Sequence, residues 1–383
     1  MTSVLILTAG YGEGHNAAAR GLREGFVETG VSAEVLDLFG PAYGEPYERS
    51  RRDYIRVVNE RPWLWAGIYQ VLDRVPFLGV FASFFRRLLG EFVRVLREKR
   101  PEVVVSVYPA YGYLFEKAVV LAGIPRPRFV TVVTDSITVN SVWYRCGSDV
   151  FLVPNEDTAN VMLAAGLERE QVVVSGFPVS PRFTDEIAAR VALGQGDRPK
   201  VLFMINGQSA RAISLVERLL REDQVELTVT VGKDAVLGEE LQQMAGRMGR
   251  SLGVWGWVTD VPGLIRSHHL LIGKAGGAMV QETLAAHTPM LITQILPGQE
   301  EGNARLLVQN GCGAVCPTNE AVVQTMAQLF ENGAIGWNRM MGHTVRLGRP
   351  DAARETARWI LKMRGDAKSA AGVKEGAFGV REV

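Results

Sequence analysis

Short apolar runs alternate with stretches of helical periodicity along most of the chain. Residues 4–7 form an uninterrupted apolar run, which is the pattern of a parallel strand buried on both faces. A helix is expected over residues 15–28, because Ala18, Leu22 and Phe26 recur on one face. This alternation of strand and helix patterns predicts β-α-β units with a parallel sheet.

The strand pattern recurs in both halves of the sequence. Further strands are predicted at residues 33–38, 103–107 and 129–133, and then at 201–205, 226–231, 252–255, 270–273 and 290–293. Glycine-rich loops follow strands in each half, at the place where open α/β sheets bind ligands. The predicted fold class is therefore α/β, with two Rossmann-like, doubly wound domains that face a cleft.

A Pro-rich segment near residue 178 is the predicted hinge between the two domains. We expect an N-terminal domain at residues 1–178 and a C-terminal domain at residues 179–345. A last helix is predicted within residues 346–365, where apolar side chains share one side. The tail at residues 366–383 lacks apolar periodicity, so we expect it to be flexible.

The composition is that of an ordinary soluble globular protein. Of 383 residues, 47% are hydrophobic and 22% are charged, and the formal net charge is +1. These values exclude a disordered, collagen-like or multi-span membrane chain, and no strong global charge attracts the protein to nucleic acid.

Cys146, Cys312 and Cys316 are too scattered for a disulfide framework or a CxxC metal site. Since no signal peptide or membrane-spanning run is recognisable, we expect a cytoplasmic protein or one bound to a membrane surface.

Positive charge is concentrated in residues 51–100, which hold 11 Arg and Lys against 5 Asp and Glu. Aromatic residues are interleaved with the basic ones, a combination suited to an anionic lipid surface. A helix that packs on the core and exposes an arginine face would give the same composition, so both interpretations stay open. The residues expected to dock on a membrane are Phe81, Phe84, Phe85, Arg86 and Arg87.

A glycine-rich turn after the first predicted strand leads to His15. Gly12 and Gly14 belong to this turn, although its third glycine comes one residue too early for a dinucleotide-binding GxGxxG motif. The turn would place His15 at a helix N-terminus, where the helix dipole disfavours the imidazolium form and leaves the ring able to accept a proton. We therefore predict that His15 is a general base. A histidine that only caps the helix is the alternative.

The other histidines are predicted to have structural roles. His268 and His269 are adjacent, so their side chains point to opposite faces of a strand and cannot chelate one ion together. His287 stands at a predicted helix end, where histidine can adopt a left-handed cap conformation. No Cys/His spacing indicates zinc, so no metal site is expected.

Glycine-rich loops of the second half predict a nucleotide-sugar site. Gly276 and Gly277 open a predicted helix, and the free amides and dipole at such a helix start form a cradle for a diphosphate. Glu282 lies about one and a half turns further on, where it is placed to bind both hydroxyls of a ribose. Each loop alone could also be an ordinary strand-to-helix turn. Two more loops offer groups to phosphates and sugar hydroxyls, namely Gly207, Gln208 and Ser209 in one and Gln299 and Glu300 in the other.

These motifs resemble those of the monogalactosyldiacylglycerol synthase and processive diacylglycerol glucosyltransferase family, which is related to the lipid II-forming N-acetylglucosaminyltransferase. The resemblance rests on the glycine–histidine motif at residues 12–19, on the Thr134-Asp135 pair, and on the PGQEEGN run at residues 297–303. It extends over about residues 3–340.

The resemblance implies a GT-B fold and an inverting transfer of galactose or glucose from a UDP-sugar to diacylglycerol, which leaves a β-glycolipid. It also implies that the final helix crosses back to the N-terminal domain. A bound metal would not be required, because fixed amides and dipoles balance the leaving UDP. The implied site residues are His15 as the base; Gly276 and Gly277, with Gly207 and Ser209 helping, at the phosphates; Glu282 at the ribose; Gln299 and Glu300 at the donor sugar; and Trp257 and Val258 at the uracil.

One position departs from the family pattern. Many members carry a histidine three residues before Trp143, where this sequence has Asn140. Asparagine can hydrogen-bond but cannot relay a proton at neutral pH. Asn140 is grouped with the two glycines of the His15 turn as an acceptor loop. Asp135 is available to orient His15 or the acceptor, and a buried carboxylate that caps a loop is the alternative.

The predicted function is a glycosyltransferase that acts peripherally on the inner face of the cell membrane. Its predicted partners are UDP-galactose or UDP-glucose, diacylglycerol or a related lipid acceptor, and an anionic phospholipid surface. Transfer to a different lipid, a UDP-sugar epimerase on the same fold and a non-catalytic UDP-sugar sensor are the alternatives. Gln299 and Glu300 indicate hydroxyl recognition but do not distinguish galactose from glucose, which differ at one hydroxyl.

Overall fold

The computed structural model describes residues 4–75, 85–185, 193–194, 196–222 and 224–375, with side chains as far as residue 363. Within these residues, twelve strands form two parallel sheets of six strands each. The predicted α/β class with two doubly wound domains is confirmed.

Six strands build the sheet of the N-terminal domain: β1 (Val4–Thr8), β2 (Ala33–Asp37), β3 (Val103–Ser106), β4 (Arg128–Val132), β5 (Val150–Val153) and β6 (Val172–Val174). They pair in the order β2-β1-β3-β4-β5-β6. The apolar run near the start of the sequence is a central strand, and its residues from Val4 to Leu7 are fully buried. The order reverses between β1 and β3, so the loops after these strands flank a ligand-binding crevice.

Helices pack on this sheet and on one another. Those that the structure describes are α1 (Glu13–Glu28), α2 (Phe39–Tyr43), α3 (Glu45–Glu60), α4 (Pro62–Arg74), α5 (Arg86–Lys99), α6 (Ala110–Ala122), α7 (Glu156–Ala164) and α8 (Arg182–Asp185). α1 buries its alanines together with Leu22 and Phe26, the periodic residues that predict it. α4 differs from the others because none of its residues is fully buried.

The C-terminal domain repeats the architecture. Its strands are β7 (Lys200–Met204), β8 (Glu226–Thr230), β9 (Gly253–Trp255), β10 (Leu270–Lys274), β11 (Met290–Gln294) and β12 (Gly313–Val315), paired in the order β12-β11-β10-β7-β8-β9. Its helices are α9 (Ser209–Arg221), α10 (Ala235–Arg247), α11 (Val261–Arg266), α12 (Gly277–Ala285), α13 (Glu301–Gln309) and α14 (Asn319–Leu347). The predicted left-handed conformation of His287 is confirmed by its φ of 56°.

The two domains share one apolar cluster. It runs from α1 through Phe177 and Phe183, in the segment after β6, to α12 of the second domain. A side chain at Gly302 would clash with the Ser136 carbonyl oxygen, and the Gly302 amide donates to Thr138 Oγ1 at 3.0 Å. The loop after β4 is therefore in direct contact with the start of α13.

The last helix, α15 (Ala352–Glu375), returns to the N-terminal domain and packs against α1. Ala353 is fully buried, and a Cβ at Gly25 of α1 would lie 2.5 Å from its carbonyl oxygen. The helix continues to Glu375 and so includes the first part of the predicted flexible tail, whose flexibility stays a prediction. The last part of that predicted tail, residues 376–383, lies outside the described residues.

Candidate active site

The glycine-rich turn places His15 at the carboxyl edge of the first sheet. α1 begins at Glu13, and Gly12 before it has a φ of 97°, a conformation that residues with a Cβ rarely adopt. His15 is the third residue of the helix, and its ring meets Tyr108, which follows β3, edge-on at 5.1 Å between centroids. The predicted delivery of His15 to a helix N-terminus beside the crevice is therefore what the structure shows.

His15 is neutral at physiological pH because it is buried. Burial lowers the pKa of His15 to about 4, and a hydrogen bond to the Val107 carbonyl acts in the opposite direction. Its Nδ1 also lies 3.1 Å from the hydroxyl oxygen of Thr134. The ring is thus held by the ends of other strands, and no side chain caps α1. Burial thus favours the same neutral state that the position at a helix N-terminus predicts.

Asp135 belongs to the same site but has other partners. The Trp143 Nε1 donates to its Oδ2 at 2.8 Å, and the side chain of Gln299 also hydrogen-bonds to it. The hydroxyl of the preceding residue, Thr134, contacts His15, and the role of Asp135 in orienting the base or the acceptor stays a prediction. Burial raises the pKa of Asp135 to about 6, with the two hydrogen bonds opposing this change.

An apolar cavity of about 400 Å³ opens beside His15. Helices α3 and α4 form one side of it, and the loops after β1, β3 and β4 form the other. Its size is that of a small-molecule pocket, and a few polar groups converge in a mostly apolar lining. The polar groups that converge there include His15, Asp53, Asp135 and Gln299, and the apolar ones include Val57, Trp65, Ile68, Tyr69 and Leu72.

Helix α4 forms hydrogen bonds to both domains through side chains that line the cavity. Trp65, Tyr69 and Leu72 recur at helical spacing and line the cavity together. The Trp65 Nε1 donates to Gln299 Oε1 of the second domain at 3.2 Å, and the Tyr69 hydroxyl donates to the Thr138 carbonyl at 3.3 Å. The cavity is therefore closed partly by the second domain.

Asn140 supports α4 where the family pattern has a histidine. Its Nδ2 donates to the Tyr69 carbonyl at 2.9 Å, and its Oδ1 accepts from the Val142 amide at 3.1 Å. Both ends of the side-chain amide are used, and the residue is buried. Asn140 thus lines the predicted acceptor side, as a support for the cavity wall.

The predicted diphosphate cradle lies directly against the loop after β4, whose Thr134 is bonded to His15. Gly276 precedes α12 in an extended conformation, and the first amides of a helix have no partner within it. A Cβ at Gly277 would lie 2.9 Å from the Thr134 carbonyl oxygen. The start of α12 is therefore in close contact with Thr134, whose hydroxyl is bonded to His15. Because of this contact, a residue with a Cβ does not fit at position 277.

Glu282 is half-buried on α12, near α1 of the other domain. Burial raises its pKa to about 7, while Arg20 lowers it and Glu13 raises it. A carboxyl group with such a pKa can accept or donate hydrogen bonds at neutral pH, which suits a pair of ribose hydroxyls. The predicted ribose ligand therefore lies at the boundary of the two domains.

The two predicted sugar ligands after β11 have different surroundings. Glu300 is 5% exposed, and its carboxylate binds Lys274 Nζ at 3.0 Å and the Leu296 amide at 3.0 Å. Glu300 therefore stabilises its own loop. If its carboxylate left the ion pair to bind a sugar, a buried charge would lose its partner. Gln299 is half-buried and lines the cavity, so it is the more accessible of the two.

The loop after β7 has the geometry of a second phosphate-binding turn. Gly207 and Gln208 have φ angles of 76° and 51°, and Ser209 begins α9 directly after them. A small pocket beside them has Arg211 and Lys274 in its lining, together with apolar side chains. The loop faces the same cleft as the start of α12.

Trp257 and Val258 follow β9 at the far end of the second sheet. The Trp257 side chain is exposed, and the Lys233 ammonium lies 5.2 Å from the centroid of its ring. An exposed backbone at this sheet edge is compatible with the predicted uracil position. The uracil position therefore stays a prediction.

The predicted membrane-docking residues fall into three groups. Phe85 is 7% exposed and packs in the core of the N-terminal domain, so its predicted contact with lipid is wrong. Arg86 and Arg87 are exposed at the start of α5. Phe81 and Phe84 lie outside the described residues.

The outer face of α4 is an exposed apolar surface that sequence reasoning missed. Trp63 and Val71 are 70% and 59% exposed, Leu64 is exposed beside them, and Ile68, which also lines the cavity, is exposed at the edge of this face. Their spacing of four and eight positions is visible in the sequence, but the same spacing is typical of a core-facing helix. Among the helices that the structure describes, none combines the length and the apolar composition needed to cross a bilayer.

Two family models match successive parts of the chain. Residues 15–179 match the model described as monogalactosyldiacylglycerol (MGDG) synthase, and residues 207–343 match the glycosyltransferase family 28 C-terminal domain. The chain is 27% identical to a probable monogalactosyldiacylglycerol synthase of Glycine max, in an alignment that covers 91% of this chain and 69% of that protein. It is 26% identical to monogalactosyldiacylglycerol synthase 1 of Arabidopsis thaliana, with 91% and 68% covered.

Solved structures show the same arrangement of two domains. MurG of Acinetobacter baumannii superposes with a TM-score of 0.59 at 17% identity, over 94% of this chain and 99% of that one. The UDP-GlcNAc 2-epimerase of Neisseria meningitidis superposes with a TM-score of 0.60 at 13% identity, again over 94% and 99%. These likenesses establish the GT-B fold, and the two family matches show that the chain is similar to glycosyltransferases of the monogalactosyldiacylglycerol synthase type over most of its length.

Proposed function

We propose that the protein transfers galactose or glucose from a UDP-sugar to diacylglycerol, with inversion at the anomeric carbon. The observation that carries this proposal is the apolar cavity beside His15, into which Gln299 reaches from the second domain. An acyl chain fits an apolar cavity, and a polar head placed there would meet the base on one side and the donor loops on the other.

The chemistry follows from the two sides of the cleft. The acceptor hydroxyl gives its proton to the neutral ring of His15 while its oxygen attacks the anomeric carbon. The bond from that carbon to the UDP oxygen breaks on the opposite face, so an α-linked donor gives a β-linked product. The helix starts at Gly277 and Ser209 supply fixed amides for the departing diphosphate, so the proposal requires no metal ion.

The cavity favours a transferase over the epimerase and sensor alternatives. An epimerase converts a UDP-sugar without a second substrate, and a sensor needs the donor site alone. Neither gives a function to an apolar cavity that contains His15 and Asp135 and that adjoins the donor loops. A different lipid hydroxyl would satisfy the same geometry, and mass analysis of the lipid product distinguishes the two acceptors.

A cavity-filling variant tests where the acceptor binds. Val57 lines the cavity from α3, so Val57→Phe should raise the KM for diacylglycerol roughly tenfold, since forcing added bulk into filled space typically costs 1–3 kcal/mol. UDP affinity, measured by calorimetry, should stay as in the wild type. Ile55→Phe is the matched control because Ile55 is 50% exposed on the same helix. Equal KM values for all three proteins would place the acceptor elsewhere.

We also propose that the outer face of α4 docks the protein on an anionic membrane. Trp63, Leu64 and Val71 expose apolar side chains, and Arg61 and Arg74 are exposed at the two ends of the helix. An amphipathic helix of this composition binds at the lipid interface, with basic side chains near the anionic headgroups. Since the inner face of α4 lines the cavity, docking would bring the cavity close to lipid.

Vesicle sedimentation tests this surface. The triple variant Trp63→Ser, Leu64→Ser and Val71→Ser should lose at least about tenfold in binding to anionic vesicles, since burial of each large apolar side chain contributes about 1.5–3 kcal/mol. UDP binding should be retained. Val120→Ser with Leu121→Ser removes apolar side chains that are equally accessible on α6, and it should leave vesicle binding unchanged. Wild-type vesicle binding by the triple variant would contradict the proposal.

A further inference from the structure

The hydroxyl of Thr134 lies within hydrogen-bond distance of the proposed base. Its Oγ1 lies 3.1 Å from the Nδ1 of His15, and Thr134 is 4% exposed. Thr134 follows β4, two strands away from β1, which carries the His15 turn. Its position beside the ring therefore depends on the fold of the whole sheet.

Nothing in the proposed reaction requires Thr134 to touch either substrate, but the base needs a defined tautomer. A neutral imidazole carries one N–H and one lone pair, and the hydrogen bond at one nitrogen decides which nitrogen is basic. The Val107 carbonyl can only accept a hydrogen bond, whereas the threonine hydroxyl can accept or donate. Together they limit both the rotation of the ring and the site of its proton.

The backbone of Thr134 is also fixed relative to the donor side. A Cβ placed on Gly277, the first residue of α12, would lie only 2.9 Å from the Thr134 carbonyl oxygen. A residue in contact with both His15 and this helix start sets the distance between the base and the diphosphate cradle. Small errors in such a distance lower the rate strongly, because the reacting atoms must be closely aligned.

We infer that Thr134 is a positioning residue for His15, an inference that rests on the proposed transferase function. Its hydroxyl oxygen and the Val107 carbonyl share the single Nδ1–H of the neutral ring as acceptors, so that Nε2 carries the lone pair and takes the proton of the acceptor hydroxyl. When His15 becomes positively charged during the reaction, the Nδ1–H bond to Thr134 is retained.

The test compares Thr134→Val, which removes the hydroxyl at nearly constant volume, with Thr134→Ser, which keeps it. Loss of one such hydrogen bond should lower kcat about three- to tenfold in the valine variant, with an unchanged KM for the UDP-sugar. The serine variant should recover most of the rate. Thr131→Val is the matched control, because Thr131 is 1% exposed on β4 and the same change there should leave kcat unaltered. Thermal unfolding of each variant shows whether the fold is intact.

Nitrogen NMR of histidine-labelled protein provides a readout that does not need turnover. The His15 signals, assigned with a His15→Gln variant, should show a protonated Nδ1 in the wild type and a mixture of tautomers in Thr134→Val. A wild type with an unprotonated Nδ1, or a valine variant with wild-type kcat and spectrum, would overturn the inference. If the wild type forms no glycolipid, the transferase proposal fails, and the spectrum still decides whether Thr134 sets the tautomer.

Discussion

His15 illustrates how burial prepares a base. The ring is enclosed by aromatic neighbours and strand ends, and this burial lowers its pKa to about 4. The imidazole is therefore unprotonated at pH 7 and able to accept a proton, but a ring with such a low pKa is a weaker base. Asp135 in the same cavity shows the opposite response to burial, since its pKa rises to about 6.

Replacement of the base should affect turnover much more than donor binding. We expect His15→Ala to lower kcat by about 10²–10⁴-fold, the usual contribution of a general base. The UDP affinity should change little, because the proposed donor ligands are on the second domain. Steady-state kinetics and calorimetry measure the two quantities separately. A rate within twofold of the wild type would remove His15 from the mechanism.

The stability of the protein should depend on pH through Asp135. Its carboxyl group binds a proton more tightly in the folded protein, so its contribution to stability is complete below about pH 4 and is lost as the pH rises through about 6. Asp135→Asn removes this loss. A change from 3.8 to about 6 corresponds to an upper limit of about 3 kcal/mol. Denaturant unfolding should therefore show a gain in relative stability of the variant between pH 4 and pH 7. A constant difference across that range would contradict the assigned environment.

For single residues, the sequence predicts local features such as a turn and a helix start. It misses contacts between residues that are far apart in the chain and that the sheet brings together. The placement of His15 follows from a glycine turn and a helix start within a few residues. Thr134 approaches His15 because β1, β3 and β4 lie side by side in the sheet. Glu300 forms an ion pair with Lys274, which is at the end of β10. Neither contact has a signal in a single sequence.

Among the elements, α4 combines two different surfaces. Its inner side chains line the cavity and bond to both domains, while its outer side chains are exposed and apolar. Hydrophobic periodicity predicts such a helix but cannot tell which face is covered, since both faces carry large apolar residues. The same ambiguity explains Phe85, which resembles a docking residue in the sequence and packs in the core.

The packing of α1 against α15 makes a prediction about a glycine. A Cβ at Gly25 would meet the Ala353 carbonyl oxygen at 2.5 Å, so Gly25→Ala should destabilise the protein by about 1–3 kcal/mol. Gly90→Ala is the control, because Gly90 is in the middle of α5 with open space around it, and alanine there should stabilise the helix by up to about 1 kcal/mol. Unfolding in urea measures both changes. Similar stability of the two variants would show that α15 does not pack closely on α1.

The whole molecule holds its two domains in contact through several elements. α15 binds α1, the loop after β4 meets the starts of α12 and α13, and α4 bonds to Gln299. The alternation of strands and helices predicts both domains and their hinge. It does not predict how closely the domains approach, because that depends on glycines such as Gly277 and Gly302 that admit a backbone from the opposite domain.

The most direct test of the central claim is a product analysis. Purified protein is incubated with UDP-galactose or UDP-glucose and with vesicles that contain diacylglycerol, and the lipid extract is examined by mass spectrometry. The account predicts a new lipid heavier by one hexose with a β linkage, formed with at least one of these donors and absent with His15→Ala. If the UDP-sugar is consumed or epimerised while diacylglycerol stays unmodified, or if only a different lipid is glycosylated, the assignment of this cavity to diacylglycerol is wrong.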